Sequence, residues 1–418
     1  MIEYDLTLTS VSDVSPAANR ERGFVTPAYP YVPGGTLRGA LAALWIARFG
    51  DPDNRMAEFT REIIDLRVGP AVVSGTALRP LSVFACKYPR HEACARVWDA
   101  AFEELPQRRL CPGCGGALAA SKGQWEGPLR RTSRSRTALT EQGTPQAGSL
   151  FSRGALAADQ RFLARAQGDL SWLDSQQTIR VGGQRSVAGK MTVSASPHTP
   201  APADAVERLV VRLDSPAVFL AEDGRTRLSP QPGDLRRAGL PESLVLEASW
   251  TRPDTVGGWN AAGGLPKSSE VVAVAGSTYV LRGKVTDQQV GDLRERGLGA
   301  RRVDGLGWID LAAGAWSPPT TTEASRQRRP QDKEVGHVAD TIEAIRDSGQ
   351  FRRQVLGWLR QGYTDELHPP GYSYDGLTSH AKVAASRALS MRGLQRQALV
   401  VVLDARDSRL RGEGTPHE

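Results

Sequence analysis

The sequence predicts an α+β protein: two β-rich units in tandem, a metal-binding insertion in the first, and a mainly helical C-terminal extension. Three observations lead there. A strand, glycine-rich turn, strand pattern occurs twice, at residues 179–193 and 297–309. Two segments rich in Pro and small polar residues, 195–206 and 317–330, divide the chain. The 418 residues, 40% hydrophobic and 24% charged, are too many for one ordinary core and too apolar for a disordered chain. The expected units are residues 1–200, with the insertion at about 80–128, then residues 201–316, then residues 317–418.

At the start, Ile2, Tyr4, Leu6 and Leu8 alternate with Glu3, Asp5 and Thr7, the period of a half-buried strand. A loop rich in Pro, Gly and Ala ends at Tyr31-Val32-Pro33-Gly34-Gly35-Thr36. Leu37, Leu41, Leu44 and Trp45 then recur at helical spacing, with Thr36 expected as the N-cap and Gly50 as the stop. After the insertion come a basic loop and an apolar-aromatic stretch reaching Trp172, and Ile179 to Val193 reads as a hairpin closed by glycines.

The second unit begins with a strand at Leu209 and carries Gly257-Gly258-Trp259-Asn260, Gly263-Gly264-Leu265-Pro266 and a strand around Ser277 to Leu281. It ends on a glycine-rich turn entering a strand at Ile309. Beyond Pro330, Val338, Ile342, Ile345, Val355 and Leu359 keep helical spacing, and Thr378 is expected to cap a helix through Ala381 to Leu394. Leu399 to Leu403 reads as a buried strand. Were the chain a protein scaffold, Phe351, Arg352, Arg353 and Trp358 would be the candidate docking surface.

The longest apolar runs, such as Ala398 to Leu403, are far shorter than the roughly 20 residues of a membrane span. The N-terminus lacks the basic region and apolar core of a secretory signal, so a cytoplasmic location is expected. The net charge of +7 and pI of about 9.4 suit a polyanionic partner. Arginines cluster at Arg130, Arg131, Arg134 and Arg136, at Arg301 and Arg302, and at Arg326, Arg328 and Arg329. Only the Arg301–Arg302 pair lies within a glycine-rich segment.

All four cysteines fall within the insertion: Cys86, Cys94, Cys111 and Cys114 are separated by seven, sixteen and two residues. Cys111-Pro112-Gly113-Cys114 makes the tight Cys-x-x-Cys knuckle of tetrahedral zinc sites. A structural zinc is therefore expected, with His91 as an alternative to Cys94 for the fourth ligand. Four protein ligands leave no open position on the metal, which assigns it to holding the insertion together.

Glycine turns let backbone N–H groups approach phosphates without a Cβ in the way, and arginines add the opposing charge. The candidate loops are Gly182, Gly183, Arg185, Gly189 and Lys190 in the first unit, and Gly299, Arg301, Arg302, Gly305 and Gly307 in the second. Arg130, Arg131, Arg134 and Arg136 join them. So does the helix start at Gly34, Gly35, Thr36 and Arg38, where helix N–H groups offer an anion site.

Tyr31-Val32-Pro33-Gly34-Gly35-Thr36-Leu37-Arg38-Gly39-Ala40-Leu41 resembles the start of the first helix in RAMP proteins, the CRISPR-associated superfamily built on ferredoxin-like (RRM-like) RNA-binding folds. Gly35 stands where that superfamily more often has Ser. Both glycine loops resemble the C-terminal glycine-rich loop of RAMPs. The cysteine pattern with Gly257-Gly258-Trp259-Asn260 further resembles the Csx-ten family of type III-D complexes, over roughly residues 1–310. The resemblance implies two tandem ferredoxin-like domains and a Cas-five-like place in an effector complex. There the chain would hold the 5′ repeat-derived handle of the CRISPR guide RNA, beside the large polymerase-like subunit and the backbone RAMP subunits, with target RNA met only indirectly.

Two enzymatic alternatives are weighed against this. A guide-processing RAMP ribonuclease needs a general base, usually His, near the first strand and helix, and the first 90 residues contain none. A target-cutting RAMP typically carries an Asp in the loop before the Pro-Gly motif. Here that loop holds Glu21 and, at its edge, Asp13, which reads as a turn residue. The expectation is a non-catalytic subunit; a zinc-ribbon scaffold with little RNA contact is the remaining alternative.

Overall fold

The computed structural model describes residues 2–16, 25–88, 92–138, 140–144, 149, 151–182, 188–200, 202–260, 263–319, 330–345, 348–361, 363, 377–391, 395–396, 399–400 and 402–403. The chain divides into two units, Met1–Thr320 and Thr321–Glu418. The first is a mixed α/β body of several small sheets.

Its first part runs through β1 (Glu3–Ser10), β2 (Val25–Thr26), α1 (Gly34–Phe49), α2 (Met56–Phe59), β3 (Arg67–Val68), β4 (Val72–Val73) and β5 (Ala77–Leu78). The cysteine-bearing segment holds β6 (Val83–Cys86), β7 (Val97–Asp99) and β8 (Leu118–Ala120). There follow β9 (Trp125–Glu126), β10 (Arg131–Arg136), β11 (Phe151–Leu156), β12 (Arg161–Gln167), β13 (Gln177–Arg180) and β14 (Lys190–Pro197).

An antiparallel sheet orders these strands β13-β14-β1-β12-β3, with β4 also on β12. The alternation in β1 decides its faces. Tyr4, Leu6 and Leu8 turn toward α1 and join Leu37, Leu41, Trp45 and Phe162 in one core. Trp45 is fully buried and donates its indole N–H to Glu62 Oε2 at 2.8 Å, so truncating it to Ala would cost about 3–5 kcal/mol. Helix α1 begins at Gly34, two residues before the expected cap. Thr36 is already inside and donates its N–H to the Pro33 carbonyl, because Pro33 sets the backbone for helix entry. Gly50 ends it as expected, at φ +89°.

The second part comprises β15 (Val206–Leu213), the short pair β16 (Phe219–Leu220) and β17 (Thr226–Arg227), and α3 (Pro232–Arg237). It continues with β18 (Val245–Trp250), β19 (Pro253–Asn260), β20 (Leu265–Ala273), β21 (Thr278–Val285), α4 (Asp287–Arg296) and β22 (Ile309–Leu311). Its sheet is ordered β18-β21-β15-β22. Leu209, Val211, Leu213, Tyr279 and Leu281 pack against Leu235 of α3 and Val290 and Leu293 of α4. The opposite face is covered as well. Val210 and Val280 meet Ala101, just past β7, which explains the unbroken apolar stretches Leu209–Val211 within β15 and Tyr279–Leu281 within β21.

The cysteine-bearing segment is therefore a cover on the second sheet. The pairing Ala77↔Glu126 and Leu78↔Trp125 closes its base, and β6 pairs both β7 and β8 inside it. It is fixed by Arg212 to Asp99 at 2.6 Å, Arg208 to the Ala101 carbonyl at 2.6 Å, and the Leu81 N–H to the Gly276 carbonyl at 2.8 Å.

The second unit is helical among its described residues, with α5 (Pro330–Glu343), α6 (Ser348–Arg360) and α7 (Ser379–Ser390). Thr378 caps α7 through the Ala381 N–H, as expected, and the helix stops at Ser390. Two expectations fail here. Leu399, Val400, Val402 and Leu403 are helical, not extended, and Leu399 and Leu403, four residues apart, are both fully buried. A short apolar run fits either period. Phe351, Arg352 and Trp358 are no docking surface either: at 5%, 1% and 6% exposure they belong to the interior of this unit, with Arg352 paired to Glu343. Among the described residues no helix is long and apolar enough to cross a membrane.

Candidate nucleic-acid interface and metal centre

The two glycine loops are anchored by the same pair of backbone hydrogen bonds. In the first, the Val181 N–H donates to the Gly189 carbonyl and the Gly189 N–H to the Asp13 carbonyl, both at 2.8 Å. In the second, the Leu298 N–H donates to the Gly307 carbonyl at 3.0 Å and the Gly307 N–H to the Pro216 carbonyl at 2.8 Å. Asp13 and Pro216 each lie just past the first strand of their sheet. A Cβ at Gly182 would stand 2.6 Å from the Ser15 carbonyl oxygen, and one at Gly299 2.6 Å from that of Val218. The glycines thus let each loop fold back on its own sheet. Gly183 and Arg185 lie outside the described residues.

The helix start and the second loop meet. A Cβ at Gly305, whose φ is +81°, would lie 2.7 Å from Gly35 N and 2.8 Å from Gly34 Cα. One at Gly35 would lie 2.7 Å from the Asp304 carbonyl oxygen, and one at Gly34 would overlap the Val68 carbonyl. The Pro-Gly-Gly motif therefore serves close packing of the two sheets' connections, a role its sequence does not reveal. Arg38, half-buried, donates to the Ile64 carbonyl at 3.1 Å.

Arg301 is held by Glu270 at 2.6 Å and Asp304 at 2.9 Å. Arg302 lies inside the loop over Trp308, 5.1 Å from the ring centroid, with Nε donating to the Arg296 carbonyl at 2.7 Å and Nη1 to that of Leu306. Burial, and then the charges of Arg67 and Arg165, disfavour its ionised form. Both side chains are engaged within the protein, where the sequence places them on phosphates. Arg130 likewise donates to the Ala158 carbonyl at 2.9 Å.

The remaining basic residues are differently placed. β10 is an edge strand of the sheet β10-β11-β2, and Arg131, Arg134 and Arg136 on it are all exposed. Arg134 reaches Asp13 at 3.0 Å, the residue whose carbonyl anchors Gly189. The exposed Lys190 follows Gly189 directly. Arg134 and Arg136 share one strand face by period. These positions form a cationic edge beside the first glycine loop.

The β19–β20 hairpin carries Trp259 and Leu265, 63% and 65% exposed. The sequence marks the glycines around Trp259 but assigns the ring no role; the signal is a tryptophan within a two-sided polar hairpin.

The four cysteine sulfurs lie within 4.8 Å of one another. Cys86 and Cys114 Sγ are 3.6 Å apart. Four thiolates bound at about 2.3 Å around one tetrahedral zinc sit about 3.8 Å from each other, so the cluster fits. The Cys111 N–H bonds the Gly116 carbonyl at 2.7 Å and the Gly115 N–H that of Cys111 at 2.8 Å, the tight turn expected of the knuckle. Burial, with the neighbouring thiols, pushes the Cys86 thiol up to about 12. Cys94 completes the set, and His91 lies outside the described residues.

The family model described as CRISPR-associated protein (Cas_Cmr3) matches residues 157–316, from β12 through β22. No curated protein matches the sequence. Among solved structures, the chain is similar to a chain of a type III-B Cmr-beta complex bound to cognate target RNA and AMPPnP, at 12% identity over 66% of this chain and 86% of that one, with a TM-score of 0.41. It is also similar to a RAMP protein binding different RNA substrates, at 8% identity over 75% and 100% with a TM-score of 0.33. A CRISPR-associated Cas6 protein matches at 10% over 74% and 99%, with a TM-score of 0.35. These structural likenesses are distant. Over residues 157–316 the chain is thus similar to the family described as CRISPR-associated protein (Cas_Cmr3), and the helix start at Pro33-Gly34-Gly35 and the second glycine loop are the sequence features that resemble RAMP proteins.

Proposed function

We propose that this chain is a non-catalytic guide-RNA-binding subunit of a type III CRISPR effector complex. It holds the 5′ repeat-derived handle of the guide and contacts the large polymerase-like subunit and the backbone RAMP subunits. Its two sheets are read as tandem ferredoxin-like domains. The four strands of the second sheet follow the order 4-1-3-2, and the first sheet follows it when β3 and β4 count as one strand and β13 as an addition outside β14; residues 168–176 make turns where the first domain would carry its second helix. The cysteine cluster is read as a structural zinc site that stiffens the cover on the second domain.

The observation that carries the RNA reading is the exposed arginine edge, Arg131, Arg134 and Arg136, tied to the first glycine loop through Asp13. Cations on an edge strand meet phosphates irrespective of base, so they position a strand without reading it. Trp259 on its hairpin adds a surface on which a base can stack. A non-catalytic role is supported by Asp13, whose carboxylate accepts from the Ala158 N–H at 3.1 Å and pairs with Arg134 at 3.0 Å. Glu21 lies outside the described residues.

The test is guide binding by Arg131→Ala/Arg134→Ala/Arg136→Ala as a function of salt. Each phosphate-binding arginine removed should flatten the slope of log affinity against log salt by about 0.7 for a single strand, equally for different spacers. An unchanged affinity and slope in a folded variant would remove this edge from the interface.

A further inference from the structure

A cavity of about 540 Å³ opens between the helix-free face of the first sheet and the end of the second, beside the base of the cysteine segment. Its size is that of a small-molecule site, about 300–1,000 Å³. Trp125, packed on Tyr31, and Trp316, with Arg79 over its ring, line the wall, together with Asp5, Arg165, Arg212, Asp214 and Asp310.

Polar groups here are left incomplete by the protein itself. The Nε–H of Arg212 and the indole N–H of Trp308, which also line the cavity, are buried and have no acceptor. Trp308 is 3% exposed and the Arg212 side chain 11%. Buried donors without partners are costly and point to a missing water or ligand. Asp214 pairs with Arg165 at 3.6 Å, feels the charge of Arg212 as well, and faces the charge of Asp310. Asp214 lines this recess with 38% of its side chain accessible, and desolvation first, then Asp310, pushes its carboxyl up to about 7.

We propose that this cavity binds a guanine base, stacked on the indoles and read by Asp214 and Arg165. Guanine has two donors, N1–H and the exocyclic amino group, on one edge and two acceptors, O6 and N7, beside them. An ionised carboxyl and a guanidinium standing side by side match that order: above about pH 7 Asp214 takes the donors and Arg165 the acceptors, so the titrations are made at about pH 8. Adenine presents an amino donor where O6 stands in guanine, and so faces Arg165 with a donor. Pyrimidines lack N7 and cover less of the two indoles. The chemistry is the same for a free guanine nucleotide and for an unpaired guanosine in RNA, and it does not rest on the guide-handle reading.

Full-length protein is titrated with GMP, AMP, CMP and UMP, and with single-stranded RNA oligonucleotides holding one guanosine or none, following tryptophan fluorescence and heat. GMP, or the guanosine-containing RNA alone, should bind at least about tenfold more tightly than the others, the first result assigning a free nucleotide and the second RNA. Asp214→Asn should abolish the preference, since an amide cannot accept both guanine donors. Trp316→Ala should weaken binding about 5- to 100-fold for all bases, while Arg225→Ala, at an exposed residue that does not line the cavity, should leave the guanine preference intact. Zinc content and circular dichroism establish that the variants fold. Binding with no guanine preference, a preference unchanged in both cavity variants, or no binding at all would overturn the proposal.

Discussion

Asp99 joins the cysteine segment to the second sheet, and Asp99→Ala tests how much of the molecule depends on that joint. The Asp99 side chain is fully buried and Arg212 is 11% exposed, with 2.6 Å between them. Asp99 Oδ2 also accepts from the Trp316 N–H at 3.0 Å and Oδ1 from the Ala101 N–H at 3.2 Å. Removing one partner of a buried pair strands the other charge, at about 3–5 kcal/mol. If the 320-residue unit melts cooperatively, its unfolding entropy is about 0.7 kcal/mol/K at about 2.1 cal/mol/K per residue, so the midpoint should fall by about 4–7 °C. Calorimetry measures this directly. Arg212→Met in the Asp99→Ala background should then cost less than it does alone, because the stranded guanidinium is gone. A midpoint within about 1 °C of the parent, or additive costs in the double variant, would refute the claim that this pair clamps the segment to the sheet.

Other outcomes follow from the same structure. Purified protein should hold about one equivalent of zinc, and chelation or Cys111→Ser should accelerate amide exchange at Val210 and Val280, whose face the segment covers; metal analysis finding none would contradict this. Gly305→Val should destabilise by at least the roughly 1–3 kcal/mol of a forced positive φ, whereas Gly39→Ala, with nothing within 4 Å, should stabilise by about 0.5–1 kcal/mol; chemical denaturation compares them. Asp214 should make stability fall as pH rises from about 4 to about 7, because its folded carboxyl keeps a proton that the unfolded one has lost; Asp214→Asn should flatten that window in pH-dependent melts. Incubation with repeat and target RNAs, with and without magnesium, should give no discrete cleavage; products that disappear on changing Asp13 or Glu21 would establish a nuclease instead.

Local patterns were legible in the sequence because they answer to local physics. The alternation of β1 appears as the expected burial of Tyr4, Leu6 and Leu8, the hairpin over 179–193 forms around its glycines, and the Cys-x-x-Cys turn sits where its spacing puts it. The duplication of the glycine loops was visible too. Its meaning was not, since what each glycine touches is a carbonyl far away in the chain, such as Ser15 for Gly182 or Val218 for Gly299. The same holds for Arg302, whose charge suggested a phosphate while its surroundings make it part of the loop. The pairing of Asp99 with Arg212 spans 113 residues, and no period or composition announces it. The run at Leu399 to Leu403 failed for a different reason: with every residue apolar, the helical and extended periods predict the same pattern.

The central claim, that this chain holds the 5′ handle of a guide RNA, is tested most directly by sequencing RNA that copurifies with the protein from its native host after ultraviolet crosslinking. The account predicts RNAs of varied spacer sequence that share one repeat-derived 5′ end, with crosslinks mapping to the arginine edge at Arg131, Arg134 and Arg136 or to Trp259. Copurifying RNA with no common 5′ end, or crosslinks confined elsewhere, would contradict it.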